Sequence, residues 1–130
     1  MLVLDANVFL AAAALGGGFE LFGREQLVAP PILWPEVRSS LHTAVLRELI
    51  SREVAERSLE LLDAGILRER RHRRLGPEVW RIADELLWQK TYDAEYLALA
   101  YLLDSPLVTL DRRILRAAER LGIGARALTP

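Results

Sequence analysis

Short, unbroken apolar runs alternate along the chain with longer amphipathic stretches. "LVL" at 2–4, "QLVAP" at 26–30 and "SPLVTLD" at 105–111 are rich in branched residues and carry no internal alternation. That pattern suits strands covered on both faces, as in a parallel sheet. The stretches between them predict helices. "DANVFLAAAAL" should be a short one stopped by the glycines at 16–18, and Phe19–Glu25 a second. "PPILWPEVRSSLHTAVLRELI" (30–50) predicts a long helix with Pro31 in its first turn, and Pro35 should bend or restart it.

Ser51 suits the N-cap of "REVAERSLELLDA", which Gly65 should end, with Val54, Leu61 and Leu62 on its buried face. "ILRERRHRRL" reads as a short strand or an exposed basic loop. Gly76-Pro77 opens "PEVWRIADELLWQK" (77–90), whose apolar face should hold Val79, Ile82, Ala83, Leu86 and Leu87. "DAEYLALAYLLD" follows as a helix, and Asp111 should cap "RRILRAAERLG", which Gly122 ends. A last strand is expected near Ala125–Leu128. Strands alternating with helices in this way predict an α/β domain with a parallel sheet and helices on both faces. With no repeat or linker, residues 1–130 read as one domain.

Composition narrows the function classes. A hydrophobic fraction of 52% excludes wholesale disorder. The absence of cysteine removes disulfides and thiolate zinc sites, and fits a cytoplasmic protein. No apolar run approaches the ~20 residues that span a bilayer, and Asp5 with no basic residue before it argues against a signal peptide. A net charge of −1 argues against an all-round basic surface, although local patches still matter. Lys90 is the only lysine, and the arginines at 68, 70, 71, 73 and 74 read best as a solvated charge run. His42 and His72 lack partners at zinc-ligand spacing.

In parallel sheets, ligands collect beyond the carboxyl ends of the strands, and two acids stand there: Asp5 after "LVL" and Asp111 after "LVTL". Each can be a helix cap or half of a reactive site. Carboxylates sharing one crevice repel unless a cation lies between them, and hard divalent ions such as Mg²⁺ and Mn²⁺ take oxygen ligands. Glu36, set among Ile32, Leu33, Trp34 and Val37, would be costly as an unpaired charge, or else complements a helix dipole. Asp93 opens an almost wholly apolar helix and can also be a cap. Glu95, about 200° further round that helix, should face elsewhere.

"LVLDANVFL", "PEV" at the head of a long helix, "TYDAEYLALA" and "PLVTLDRRIL" together resemble the four acidic motifs of the PIN-domain ribonucleases, in that family's order. Within it, the length and the YDAxYLALA-like stretch are similar to the toxin half of VapBC toxin–antitoxin pairs. The resemblance implies a PIN-like three-layer α/β/α sandwich with a small central parallel sheet. It also implies a metal-dependent endoribonuclease holding Mg²⁺ or Mn²⁺ on Asp5, Glu36, Asp93 and Asp111. Asn7 and Thr109 match supporting positions, and Arg112 and Arg113 stand where they can meet substrate. Implied partners are an RNA substrate, a cognate antitoxin and a second copy of the chain, with cleavage leaving a 5′-phosphate and a 3′-hydroxyl.

Two departures stand out. Asp104-Ser105 replaces a frequent glycine turn, and Ile114-Leu115 stands where relatives often carry another acid, which argues against a second tightly held ion. Trp34, Trp80 and Trp88, with the apolar face of 77–90, exceed what a small core hides and point to partner surfaces. Tyr92, Tyr96, Leu99 and Leu103 form a stripe suited to core or dimer packing. Two other readings remain open: a non-catalytic RNA- or protein-binding module whose acids only cap helices, and a phosphatase using Asp5 as nucleophile. The phosphatase chemistry wants an acid two residues on, and Asn7 is there instead.

Overall fold

Strands of three residues make few ladder hydrogen bonds, so a sheet built from them depends on burial of both faces. The computed structural model, which describes residues 1–128, shows this arrangement. Strands β1 (Leu2–Leu4), β2 (Leu27–Ala29), β3 (Leu67–Glu69), β4 (Leu107–Thr109) and β5 (Ala125–Ala127) form one five-stranded sheet. β1, β2 and β4 are buried throughout, whereas only Leu67 of β3 is buried. The strand order is β3-β2-β1-β4-β5 and every pairing is parallel.

Six α-helices cover this sheet: α1 (Ala6–Ala14), α2 (Leu33–Leu46), α3 (Arg52–Asp63), α4 (Leu75–Leu86), α5 (Tyr92–Leu103) and α6 (Arg112–Leu121). α1, α2 and α3 pack on one another, as do α4 with α5 and α5 with α6. The result is the expected α/β/α layering. Phe9, Leu33, Val37, Leu97 and Leu99 are wholly buried in the core. Ser51 caps α3 through the Val54 amide, as expected.

The order has one consequence for function. From β1 the chain steps outward to β2 and β3, then crosses back to β4 and β5 on the other side of β1. The direction of winding therefore reverses between β1 and β4, and their carboxyl ends flank the crevice where such folds take ligands.

Several expectations need correction. Pro35 neither bends nor restarts α2, because it lies in the first turn, where its missing N–H would have had no helical partner anyway. The segment at 19–25 is a 3₁₀ helix over Gly18–Phe22. The buried face of α3 is Ala55, Ser58 and Leu62, with Val54 and Leu61 only half-buried. The helix expected to run to residue 90 stops at Leu86, since the N–H groups of Leu87 and Trp88 turn back to the Asp84 and Ala83 carbonyls. Leu87 consequently adopts φ 57° and is 87% exposed, so it leaves the apolar face. Asp104 takes the left-handed position after α5 that glycine adopts most freely, so the Asp104-Ser105 departure falls in a turn.

Close packing at the 3₁₀ helix generates a stability prediction. A Cβ on Gly18 would lie 2.1 Å from the Ala12 carbonyl oxygen, whereas one on Gly16 meets nothing within 4 Å. Gly18→Ala should therefore lower unfolding stability by about 1–3 kcal/mol. Gly16→Ala should stay within about 0.5 kcal/mol of the unsubstituted protein. Urea titration of both variants checks the contrast, and equal midpoints would show that the close approach is not rigid.

Candidate active site

The crevice between β1 and β4 is held by one buried hydroxyl. Thr109, the last residue of β4, is fully buried, and its Oγ1 donates to Asp5 Oδ2 at 2.5 Å. The same oxygen accepts from the Asp111 backbone N–H at 3.0 Å. Asp5 Oδ1 accepts from the Val8 N–H at 2.9 Å, so the carboxylate caps α1 while facing β4. Asp111 caps α6 in the same way, its Oδ1 accepting from the N–H groups of Arg113 and Ile114. The cap reading of both aspartates is thus correct, and it does not compete with a site. Each carboxylate is oriented by a helix start and placed at a strand end.

Two more acids arrive from helices. Glu36 lies in the first turn of α2, and its Oε1 accepts from the Tyr96 hydroxyl at 2.9 Å. Asp93 lies in the first turn of α5 and pairs through Oδ2 with the Arg113 guanidinium. That guanidinium also stacks on the Trp88 ring, 4.4 Å from its centre. Arg113, expected near substrate, is therefore engaged by the protein itself.

Electrostatics bind the four acids into one group. Burial holds the Asp5 carboxyl above the usual aspartate range; hydrogen bonds from Thr109 and Val8 oppose the shift, and the charges of Asp93 and Asp111 add to it. Glu36 is raised first by burial and then by Asp93, Asp5 and Glu95, with the Tyr96 hydrogen bond opposing. Glu95, expected to face elsewhere, contributes the last and smallest of these charges. Tyr96 is itself pushed far up by burial and by Glu36, so it stays a hydrogen-bond donor.

This cluster carries excess negative charge on hard oxygen donors, with Arg113 as its one recorded cation contact among the described residues. In charge and ligand type the set fits Mg²⁺ or Mn²⁺. As the side chains stand, however, no three Asp, Glu or His among the described residues are grouped closely enough to hold an ion. The acids form an open set that an ion would have to draw together.

Asn7 and Arg112 are exposed, on the first turns of α1 and α6. Sequence reasoning treated Tyr96 as packing alone and gave Trp88 no role at the acids. Tyr96 was findable, because it stands three residues after Asp93 and so shares its helix face. Trp88 was not, because its place depends on α4 ending at Leu86.

The raised Glu36 gives a pH prediction. Its folded pKa lies above the ordinary 4.5, so as pH rises the unfolded chain ionises first and ionisation favours unfolding. The penalty is absent below 4.5 and complete above the folded value. Glu36→Gln keeps an acceptor for Tyr96 and should melt higher than the unsubstituted protein at pH 7.5 in EDTA. The advantage should vanish below pH 4.5. A pH series of thermal melts checks this, and a variant destabilised at neutral pH would contradict it.

Comparison with known proteins adds four matches. The family model described as "PIN domain" matches residues 2–120. Ribonuclease VapC1 of Mycobacterium tuberculosis is 39% identical over 121 residues, covering 88% of this chain and 89% of that protein. Ribonuclease VapC9 of the same organism is 30% identical over 115 residues, with 88% of each covered. The crystal structure of PAE2754 from Pyrobaculum aerophilum superimposes with a TM-score of 0.74 at 24% identity, covering 97% of this chain and 87% of that one, and it supports the fold.

Proposed function

The chain belongs to the PIN domain family, and from that premise we propose that it is an endoribonuclease of the VapC kind, the toxin of a toxin–antitoxin pair. The observation that carries the reading is the mutual charge of Asp5, Glu36, Asp93 and Asp111 at the reversal between β1 and β4. We read residues 1–130 as one nuclease unit, active in the cytoplasm on RNA. No described helix is long and apolar enough to cross a membrane.

Asp5, Asp93 and Asp111, with Glu36, would hold Mg²⁺ or Mn²⁺. Such an ion, when bound, lowers the pKa of water and offsets charge building on a phosphodiester. The chain's own residues supply the rest. Thr109 keeps the Asp5 carboxylate turned toward β4, and the Asp5 and Asp111 caps tie both carboxylates to rigid helix starts. Tyr96 donates to Oε1 of Glu36 and leaves Oε2 free; where that oxygen is not taken by an ion, it can accept the proton of the attacking water. Water attack at phosphorus with departure of the 3′-oxygen leaves a 5′-phosphate and a 3′-hydroxyl. Arg112 and Asn7, both exposed near the strand ends, suit contacts to substrate.

Partner assignments rest on the same premise. An antitoxin would cover the acidic crevice, and a second copy of the chain suits apolar surface such as Trp80, which is 73% exposed. The Arg113–Asp93 pair and the open arrangement of the acids favour one competing reading, a binding module that does not cut. Metal titration separates the two: binding unchanged in Glu36→Gln and Asp93→Asn favours the module.

The direct test is cleavage of single-stranded RNA by purified protein with Mg²⁺ or Mn²⁺. EDTA should abolish it, and Asp5→Asn should lower the rate by at least ~100-fold, a loss of several kcal/mol of transition-state stabilisation. Full activity in Asp5→Asn would refute the role given to this aspartate.

A further inference from the structure

A cleft of about 520 Å³ opens beside the acids, lined by Glu36, Asp93 and Arg113 together with Trp88, Gln89, Lys90 and Tyr92. Its volume falls within the ~300–1,000 Å³ of small-ligand sites. The outer wall is built from the connection between α4 and α5, and three features of that connection need explaining. Leu87 is held at φ 57°, a backbone region that branched and bulky residues seldom occupy. Tyr92 is 57% exposed although Tyr96 and Leu99, further along the stripe it begins, are core. The chain's only lysine, Lys90, stands between Trp88 and Tyr92. The turn at Leu87 ends α4 and brings Trp88 under Arg113.

We propose that this cleft is a nucleotide subsite: it takes the base next to the scissile phosphate of a single-stranded RNA, stacked on Tyr92, with the backbone drawn to Lys90. The inference rests on the endoribonuclease reading and extends it to how the strand is held. Affinity from phosphate contacts alone is poor at this place. Glu36 and Asp93 repel the strand, and the Arg113 charge is already paired with Asp93. An aromatic face suffers no such penalty, because stacking needs no charge and accepts any base. Gln89 adds an exposed amide that can meet a base edge. A strand seated here runs directly past Asp93 into the acid cluster. A partner protein would find the same aromatic surface, whereas a lysine lining one cleft with an exposed tyrosine suits a strand that offers both a base and a phosphate.

The experiment measures anisotropy of a fluorescein-labelled, mixed-sequence RNA octamer in EDTA and low salt, so that binding is read without cleavage. Tyr92→Ala should weaken binding by about 5- to 100-fold, the scale of one base–aromatic stack, while Tyr92→Phe retains it. Lys90→Ala should weaken it less, with a loss that shrinks as salt rises. Thermal melts confirm that the variants fold. Binding by Tyr92→Ala and Lys90→Ala equal to that of the unsubstituted protein overturns the subsite, as does an unsubstituted protein that does not bind the octamer. A Tyr92→Ala variant that binds RNA normally but changes sedimentation mass assigns the face to a second copy and overturns it too. A separate assay with Mg²⁺ reads cleavage. Absent cleavage alongside Tyr92-dependent binding defeats the nuclease reading and leaves the subsite standing.

Discussion

Thr109 offers its hydroxyl proton to a buried aspartate just past the end of a neighbouring strand and takes the N–H of the residue that caps the next helix. Everything at the crevice depends on this arrangement. A hydrogen bond to a charged group contributes about 1.5–3 kcal/mol, and here it also offsets part of the cost of burying Asp5. The bond joins residues 5 and 109, so it closes the site only after β4 has inserted beside β1. Site assembly and completion of the sheet are in this respect one event.

Around that bond the fold accumulates charge it does not neutralise. Asp5 and Glu36 are both held above their usual range, chiefly by burial and then by one another's neighbours. A structure selected for stability alone would replace these acids with neutral or apolar groups of similar size. Retaining them makes sense where a cation and a phosphodiester are to be handled. Arg113, paired with Asp93 and stacked on Trp88, relieves part of the repulsion. An arriving cation would compete with that pair for Asp93.

The layering, the parallel sheet and the strand-end position of Asp5 and Asp111 were legible in the chain. Continuous apolar strands and capped helices leave a strong periodic signal. The true end of α4 was not, because backbone hydrogen bonds at Ala83 and Asp84 override an apolar pattern that continues through Leu87. At the site, the identity of the acids could be read, but their partners could not. Thr109 could be named from its motif position, whereas Tyr96 and Trp88 acquire their contacts only through tertiary packing. Glu95, read as turned away from Asp93 by helical rotation, adds only the last of the charges that raise Glu36, and its own carboxyl is raised by burial alone.

The central claim is that four carboxylates from separate elements act as one hard-cation site. A crystal soaked in Mn²⁺ and measured for anomalous scattering tests it most directly. The account predicts a Mn²⁺ peak at ligand distance, ~2.0–2.2 Å, from Asp5 and at least two of Glu36, Asp93 and Asp111. It also predicts that the Arg113 guanidinium will have moved off Asp93. No peak among these acids at saturating Mn²⁺, with the Arg113–Asp93 pair intact, would contradict it.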